Sequence, residues 1–281
     1  MAKLTVVPDT EIYYEEYGFG DKHIICSQIA HEDESLEREL AKRGYHVWLL
    51  TNRGFGRSTH VTENYGEHWY DRFADDVIAF ADAKGISRFI YSGASHGAGT
   101  GWHVALSHPE RMIAFLAVVA GPHNLDECRM SVRQQLMQGV SVQHCFLYET
   151  DDPSLLRRRD SVEEARERKR ADPDYREIYE SPETQSIDYG RPMAAYGTEE
   201  NVCRALQCIQ VPVLLMGGIE DTIARPDLMV RSAKRLANCK LVMYSRFGHV
   251  VDIYEELADE AIRFLDNVGN TGRVYAPVLN D

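Results

Sequence analysis

The chain has 281 residues, 44% of them hydrophobic, and carries a formal net charge of −13 at pH 7. That length supports one large core, or a core domain interrupted by an insertion. The negative balance would repel a phosphate backbone and argues against nucleic acid as a partner; no run approaches the roughly 20 apolar residues that a bilayer span needs, so no membrane partner is expected.

In chain order, residues 3–7 and 11–16 read as an antiparallel hairpin joined by VPDT. HIICSQ (23–28) is a short apolar run suited to a buried strand. DESLERELAKRG follows, with Leu36 and Leu40 one helical turn apart and Gly44 as the stop. YHVWLL (45–50) is another buried strand, and HWYDRFADDVIAFADAKG sets Trp69, Phe73, Val77 and Phe80 along one helical face. RFIYSG is a strand, TGWHVALSHPERM a helix ending near Pro109, and MIAFLAVVAG (112–121) the next strand. Such alternation predicts an α/β fold: a mostly parallel sheet covered by helices on both faces.

The alternation stops at about Pro122. Residues 123–200 are polar, charged and mostly helical in pattern; RRRDSVEEARERKR reads as a solvated helix whose mixed signs pair with one another. The α/β pattern resumes at VPVLLMGG (211–218), followed by a helix around 226–237, the strand KLVMYS (240–245) and a helix over VVDIYEELADEAIRFL (250–265). The expected organisation is a core of 1–122 and 201–268, an insertion of 123–200 over the sheet, and a poorly ordered tail of 269–281.

One stretch, YSGASHGAGTG (91–101), does not read as ordinary strand or helix. Gly93-Ala94-Ser95-His96-Gly97 fits G-x-S-x-G, a strand-to-helix turn that can expose a nucleophilic serine. A Gly/Ser-rich connector would look the same over five residues. A serine hydroxyl needs a base within hydrogen-bond reach, and the base needs a group that fixes its tautomer. In a parallel sheet such groups converge at the carboxyl ends of strands. VPVLLMGG is followed by Ile219-Glu220-Asp221, and KLVMYS by Arg246-Phe247-Gly248-His249. An acid and a histidine therefore follow the serine in the required order.

With these residues in view the chain resembles the α/β-hydrolase superfamily over about residues 3–122 and 203–267. YSGASHG, TNRGFGRS, GGIEDTIARPD and RFGHVVDIYEELADEAIRFL carry the likeness together. The resemblance implies an α/β-hydrolase fold with the insertion as a helical cap. It implies Ser95 as nucleophile, His249 as general base and acid, and Asp221 as the carboxylate that orients His249. Glu220 and Asp126 are competitors for the acid, and the family spacing favours Asp221. The oxyanion hole would use the backbone N–H of His96 and that of Ile29. Relatives commonly carry His-Gly before the second donor, where this chain has Ser27-Gln28. Gln28 either tolerates that backbone position or offers its amide to the substrate, and His31 nearby is a further candidate contact. The His96 side chain either enters the pocket or packs at the helix start, and Trp102 reads as core.

The activity implied is hydrolysis of a small carboxylic ester or lactone through an acyl-enzyme at Ser95, with a small-molecule substrate and no cofactor. Other chemistries of the superfamily stay open: C–C bond hydrolysis in aromatic catabolism, cofactor-free oxygenation by a His/Asp dyad, perhydrolysis, and ligand reception without turnover. Eleven histidines without H-E-x-x-H or similar spacing offer no metal site. The N-terminus lacks the basic and apolar regions of a signal peptide. Cys26, Cys128, Cys145, Cys203, Cys208 and Cys239 form no C-x-x-C pair, which points to reduced thiols and a cytoplasmic location. The oligomeric state stays open, a homodimer included.

Overall fold

The computed structural model describes residues 2–7, 10–127, 171, 182–189 and 191–275. Eight strands form one sheet in the order β1-β2-β4-β3-β5-β6-β7-β8. β1 (Ala2–Val7) and β2 (Thr10–Tyr17) are the antiparallel hairpin, and β2 also runs antiparallel to β4 (His46–Thr51). β3 (His23–Gln28), β4, β5 (Phe89–Ala94), β6 (Met112–Val118), β7 (Val213–Gly218) and β8 (Cys239–Tyr244) are parallel. All six therefore end on the same edge of the sheet, where a site can be assembled from separate loops.

The inner parallel strands are apolar on both faces because helices cover both. α1 (Leu36–Lys42) and α7 (Tyr254–Thr271) lie on one side. α2 (Trp69–Ala83), α3 (His96–Ser107), α5 (Glu199–Cys208) and α6 (Pro226–Arg235) lie on the other. Side chains along a strand alternate between the two cores: Ala114 and Leu116 join α1 and α7, while Phe115 and Ala117 join α2 and α3. Trp69, Phe73, Val77 and Phe80 of α2 are all fully buried, as their helical spacing predicts.

Of the insertion, α4 (Pro182–Tyr189) and the segment leading into α5 are described. RRRDSVEEARERKR lies outside the described residues. Ile187 of α4 clusters with Ile29, Phe55, Trp69, Tyr70 and Phe73, so this part of the insertion rests on the loops after β3 and β4 and on the start of α2.

Three boundaries differ from the sequence reading. α3 begins at His96 rather than near Thr100. α7 begins at Tyr254 rather than near 250, because Val251 fills the core from a non-helical segment. The same helix runs past Gly269 to Thr271 and is stopped by Gly272 in the left-handed region, φ 68°. Val274 is then buried, and its N–H donates to Asn238 Oδ1 at 2.9 Å, so the chain is anchored at least that far.

Candidate active site

Ser95 stands between β5 and α3 with φ 51° and ψ −109°, a strained backbone for a residue with a Cβ. The surroundings impose it. The Ser95 N–H donates to Val118 O at 3.0 Å, and its carbonyl accepts from Gly99 N–H at 2.9 Å. The strand and helix on either side come so close that a Cβ on Gly93 would lie 2.5 Å from Gly97 C and 2.8 Å from Ala98 N. Glycine at 93 is thus a packing requirement of the turn.

The His249 ring lies between Ser95 and Asp221. Nε2 is 2.9 Å from Ser95 Oγ, and Nδ1 is 2.9 Å from Asp221 Oδ2. The Asp221 carboxylate only accepts, so Nδ1 carries the proton and Nε2 is left with a lone pair facing the serine hydroxyl. Asp221 is buried, and its Oδ1 accepts from the N–H groups of Ile223 and Ala224 at 2.8 and 2.9 Å. Two backbone bonds aim the carboxylate. The loops holding the acid and the histidine are stitched together: Ile219 N–H donates to Tyr244 O, and Glu220 N–H to Phe247 O. Glu220 itself is exposed. Asp126 accepts from Glu199 N–H at 3.1 Å and caps the start of α5, so it serves another helix.

The remaining candidates fall around this line. Ile29 is buried in the cluster beneath α4. Gln28 reaches α3, where its Oε1 accepts from Gly97 N–H at 3.2 Å. His31 Nε2 faces Leu50 O at 2.8 Å, which ties the ring to β4; burial lowers its pKa. His96 Nδ1 lies 2.6 Å from Tyr70 Oη, with the two rings parallel, so its side chain packs on α2. Trp102 is core, and its Nε1–H donates to Ala120 O at 2.8 Å.

Sequence reasoning missed the residues that fasten the insertion to the site. His103 Nδ1 donates to Asp71 Oδ1 at 2.6 Å, and His103 Nε2 accepts from Met193 N–H at 3.0 Å. Met193 is buried with φ 64°. Beside it, Pro192 packs so closely that a Cβ on Gly99 would lie 2.7 Å from Pro192 Cγ and 2.5 Å from Tyr70 Cε1. Burial works to raise the Asp71 pKa, but hydrogen bonds from His103 and His68 outweigh it, and the group is held low. The readable trace of this arrangement is Gly99 inside a helix, a position where glycine is costly unless something must approach.

No group of three or more potential metal ligands exists among the described residues, and no helix among them is long and apolar enough to cross a membrane.

A parallel sheet that carries a serine on such an elbow, with a histidine and a buried aspartate from later strand ends, has the architecture of the α/β hydrolases. The chain belongs to that family: the model of the alpha/beta hydrolase fold matches residues 18–255. It is similar to the AB hydrolase superfamily protein YisY of Bacillus subtilis (strain 168), 25% identical over 223 residues, which span 78% of this chain and 79% of that one. It is also similar to the bifunctional esterase/perhydrolase DCH of Acinetobacter calcoaceticus, 23% identical over 281 residues, covering 89% of this chain and 93% of the relative. Among solved structures, Est816, described as an N-acyl homoserine lactone degrading enzyme, superposes with a TM-score of 0.67 at 20% identity, covering 96% of this chain and all of that one.

Proposed function

We propose that the chain is a serine hydrolase that cleaves a small carboxylic ester or lactone. The observation that carries this reading is the His249 ring, 2.9 Å from Ser95 Oγ on one side and 2.9 Å from Asp221 Oδ2 on the other. Ser95 Oγ attacks the substrate carbonyl carbon while its proton passes to His249 Nε2. The carbonyl π pair moves onto oxygen, opposite the backbone N–H groups of His96 and Ile29. Collapse of this intermediate breaks the bond to the leaving oxygen, which takes the proton from His249. Water then repeats the sequence on the acyl-enzyme, giving up its proton to His249 and releasing the acid and Ser95. Asp221 stays ionised throughout and stabilises the imidazolium. The ester reading is supported by the name of the relative DCH, and the packing of Ile187 and Pro192 near the site favours a small, partly enclosed substrate over a polymer. The reduced-thiol reading of the cysteines supports a cytoplasmic setting for this chemistry.

The test is labelling with a fluorophosphonate, with the adduct located by mass spectrometry, beside turnover of short p-nitrophenyl esters and of γ- and δ-lactones. An adduct on Ser95 that is lost in Ser95→Ala and His249→Ala, together with turnover, is the expected result. An adduct without ester or lactone turnover would move the substrate class to another carbonyl compound. A folded wild type that takes no label would overturn the mechanism.

A further inference from the structure

Gln28 ends β3, and its main chain is fixed there: its carbonyl accepts from Asn52 N–H at 2.8 Å. Its side chain lies over the first turn of α3. Oε1 accepts from Gly97 N–H at 3.2 Å. The fit is close enough that a Cβ at residue 97 would lie 2.8 Å from Gln28 Cδ and 2.9 Å from Cγ. Glycine at position 97 thus admits this carboxamide.

The orientation of the carboxamide follows from chemistry. Gly97 N–H can only donate, so the arm that faces it is the oxygen. The other arm is an NH2 group with two donors. Among the described residues it has no hydrogen-bond acceptor, and Gln28 is partly exposed. Gly97 follows His96, and Ile29 follows Gln28, so the carboxamide bridges the residues next to both proposed backbone donors.

We propose that Gln28 Nε2–H is a third, side-chain donor to the oxyanion. The inference rests on the serine-hydrolase reading. It assigns a catalytic residue at the position where this chain departs from the His-Gly of its relatives. A neutral amide neither gives nor takes a proton in this pH range, so its contribution is electrostatic. It strengthens as charge builds on the carbonyl oxygen and is therefore read in kcat rather than KM. The bond to Gly97 holds the donor in place before substrate arrives, so no reorganisation is needed when charge develops.

The test compares an ester with its thionoester, in which the weakly accepting sulfur replaces the carbonyl oxygen, in wild type, Gln28→Met and Gln28→Glu. Methionine keeps the length and removes the amide. Glutamate keeps an acceptor for Gly97 N–H but has no donor arm. For the oxoester, kcat is expected to fall about 100-fold in Gln28→Met, and further in Gln28→Glu, with KM changed less than about threefold. For the thionoester the Gln28→Met loss is expected to stay under about tenfold. Melting temperatures guard against misfolding, and Gln28→Glu carries the test if Gln28→Met does not fold. Equal losses on both substrates, or wild-type rates in Gln28→Glu, would overturn the role of Gln28 while Ser95 labelling in wild type kept the hydrolase reading intact. Failure of wild-type labelling would remove both.

Discussion

Asp221 meets His249 with only one of its carboxylate oxygens, Oδ2 at 2.9 Å from Nδ1, because the other accepts two backbone N–H groups. This division of labour fixes what the Asp221→Asn substitution would do. The new carboxamide would turn its oxygen to the N–H groups of Ile223 and Ala224 and its NH2 to His249. The imidazole would then carry its proton on Nε2 and could not accept from Ser95. We expect Asp221→Asn to fold normally and to lose about 10⁴-fold in kcat, as expected for a wrong tautomer. Steady-state kinetics beside circular dichroism checks this; a loss under tenfold would show that Asp221 does not set the tautomer.

Gly218 is where the acid loop leaves β7, and it lies directly under the histidine loop. A Cβ there would overlap Phe247 O and Gly248 O. Both are main-chain atoms adjoining His249, so relief requires moving the base. Gly218→Ala is expected to cost about 1–3 kcal/mol of stability and about 100-fold or more in kcat, the scale of a 1 Å misplacement. Urea denaturation and ester turnover measure the two effects separately. Unchanged turnover would mean that the loops slide without separating His249 from Ser95.

Arg53 and Asp76 form a two-pronged ion pair with little exposure, with Nε–Oδ2 at 2.7 Å and Nη2 on Oδ1. It ties the TNRGFGRS loop, which follows β4, to α2. Removing one partner strands the other charge, and Asp76→Ala is expected to destabilise by about 3–5 kcal/mol. Replacing both Arg53 and Asp76 with leucine is expected to recover part of that loss. Denaturant titration of the single and double variants decides it; a double variant no better than the single would assign the loss to packing.

His123 follows β6 at the site edge of the sheet. Burial, then the positive charges of Arg191, Arg225 and Arg231, lower its pKa to about 4. Its ordinary value is near 6.5, so between those two values the unfolded chain binds the proton and the folded one does not. Stability from this residue is therefore complete above pH 6.5 and is lost as pH falls toward 4, by at most about 3 kcal/mol. His123→Gln is expected to flatten the stability profile over that window. A slope identical to that of wild type in chemical denaturation at pH 4.5, 5.5 and 6.5 would count against it.

Much of this was legible in the chain itself. The sheet, both core faces and the carboxyl-end positions of Ser95, Asp221 and His249 follow from local patterns: apolar strands, helical spacing and turn residues a few positions past each strand. What was not legible depends on contacts between residues far apart in sequence. The glycines of α3 depress helix propensity, which is why the helix read as starting near Thr100. Their reason lies elsewhere in the chain, in Gln28 against Gly97, Tyr70 and Pro192 against Gly99, and Phe115 against Gly101. The Met193–His103 bond spans 90 residues and leaves no periodicity to read.

The sequence by itself determined the fold class, the order of the elements and the placing of a serine, an acid and a histidine just past successive strands, because each is written in spacing within a single element or turn, while the preference for Asp221 over Glu220 came from the family resemblance. Only the tertiary structure decided which oxygen of Asp221 faces His249, where the carboxamide of Gln28 lies, and how Met193 is held against α3. Those are matters of direction and close approach across the sheet edge, set by packing between elements that local pattern does not encode.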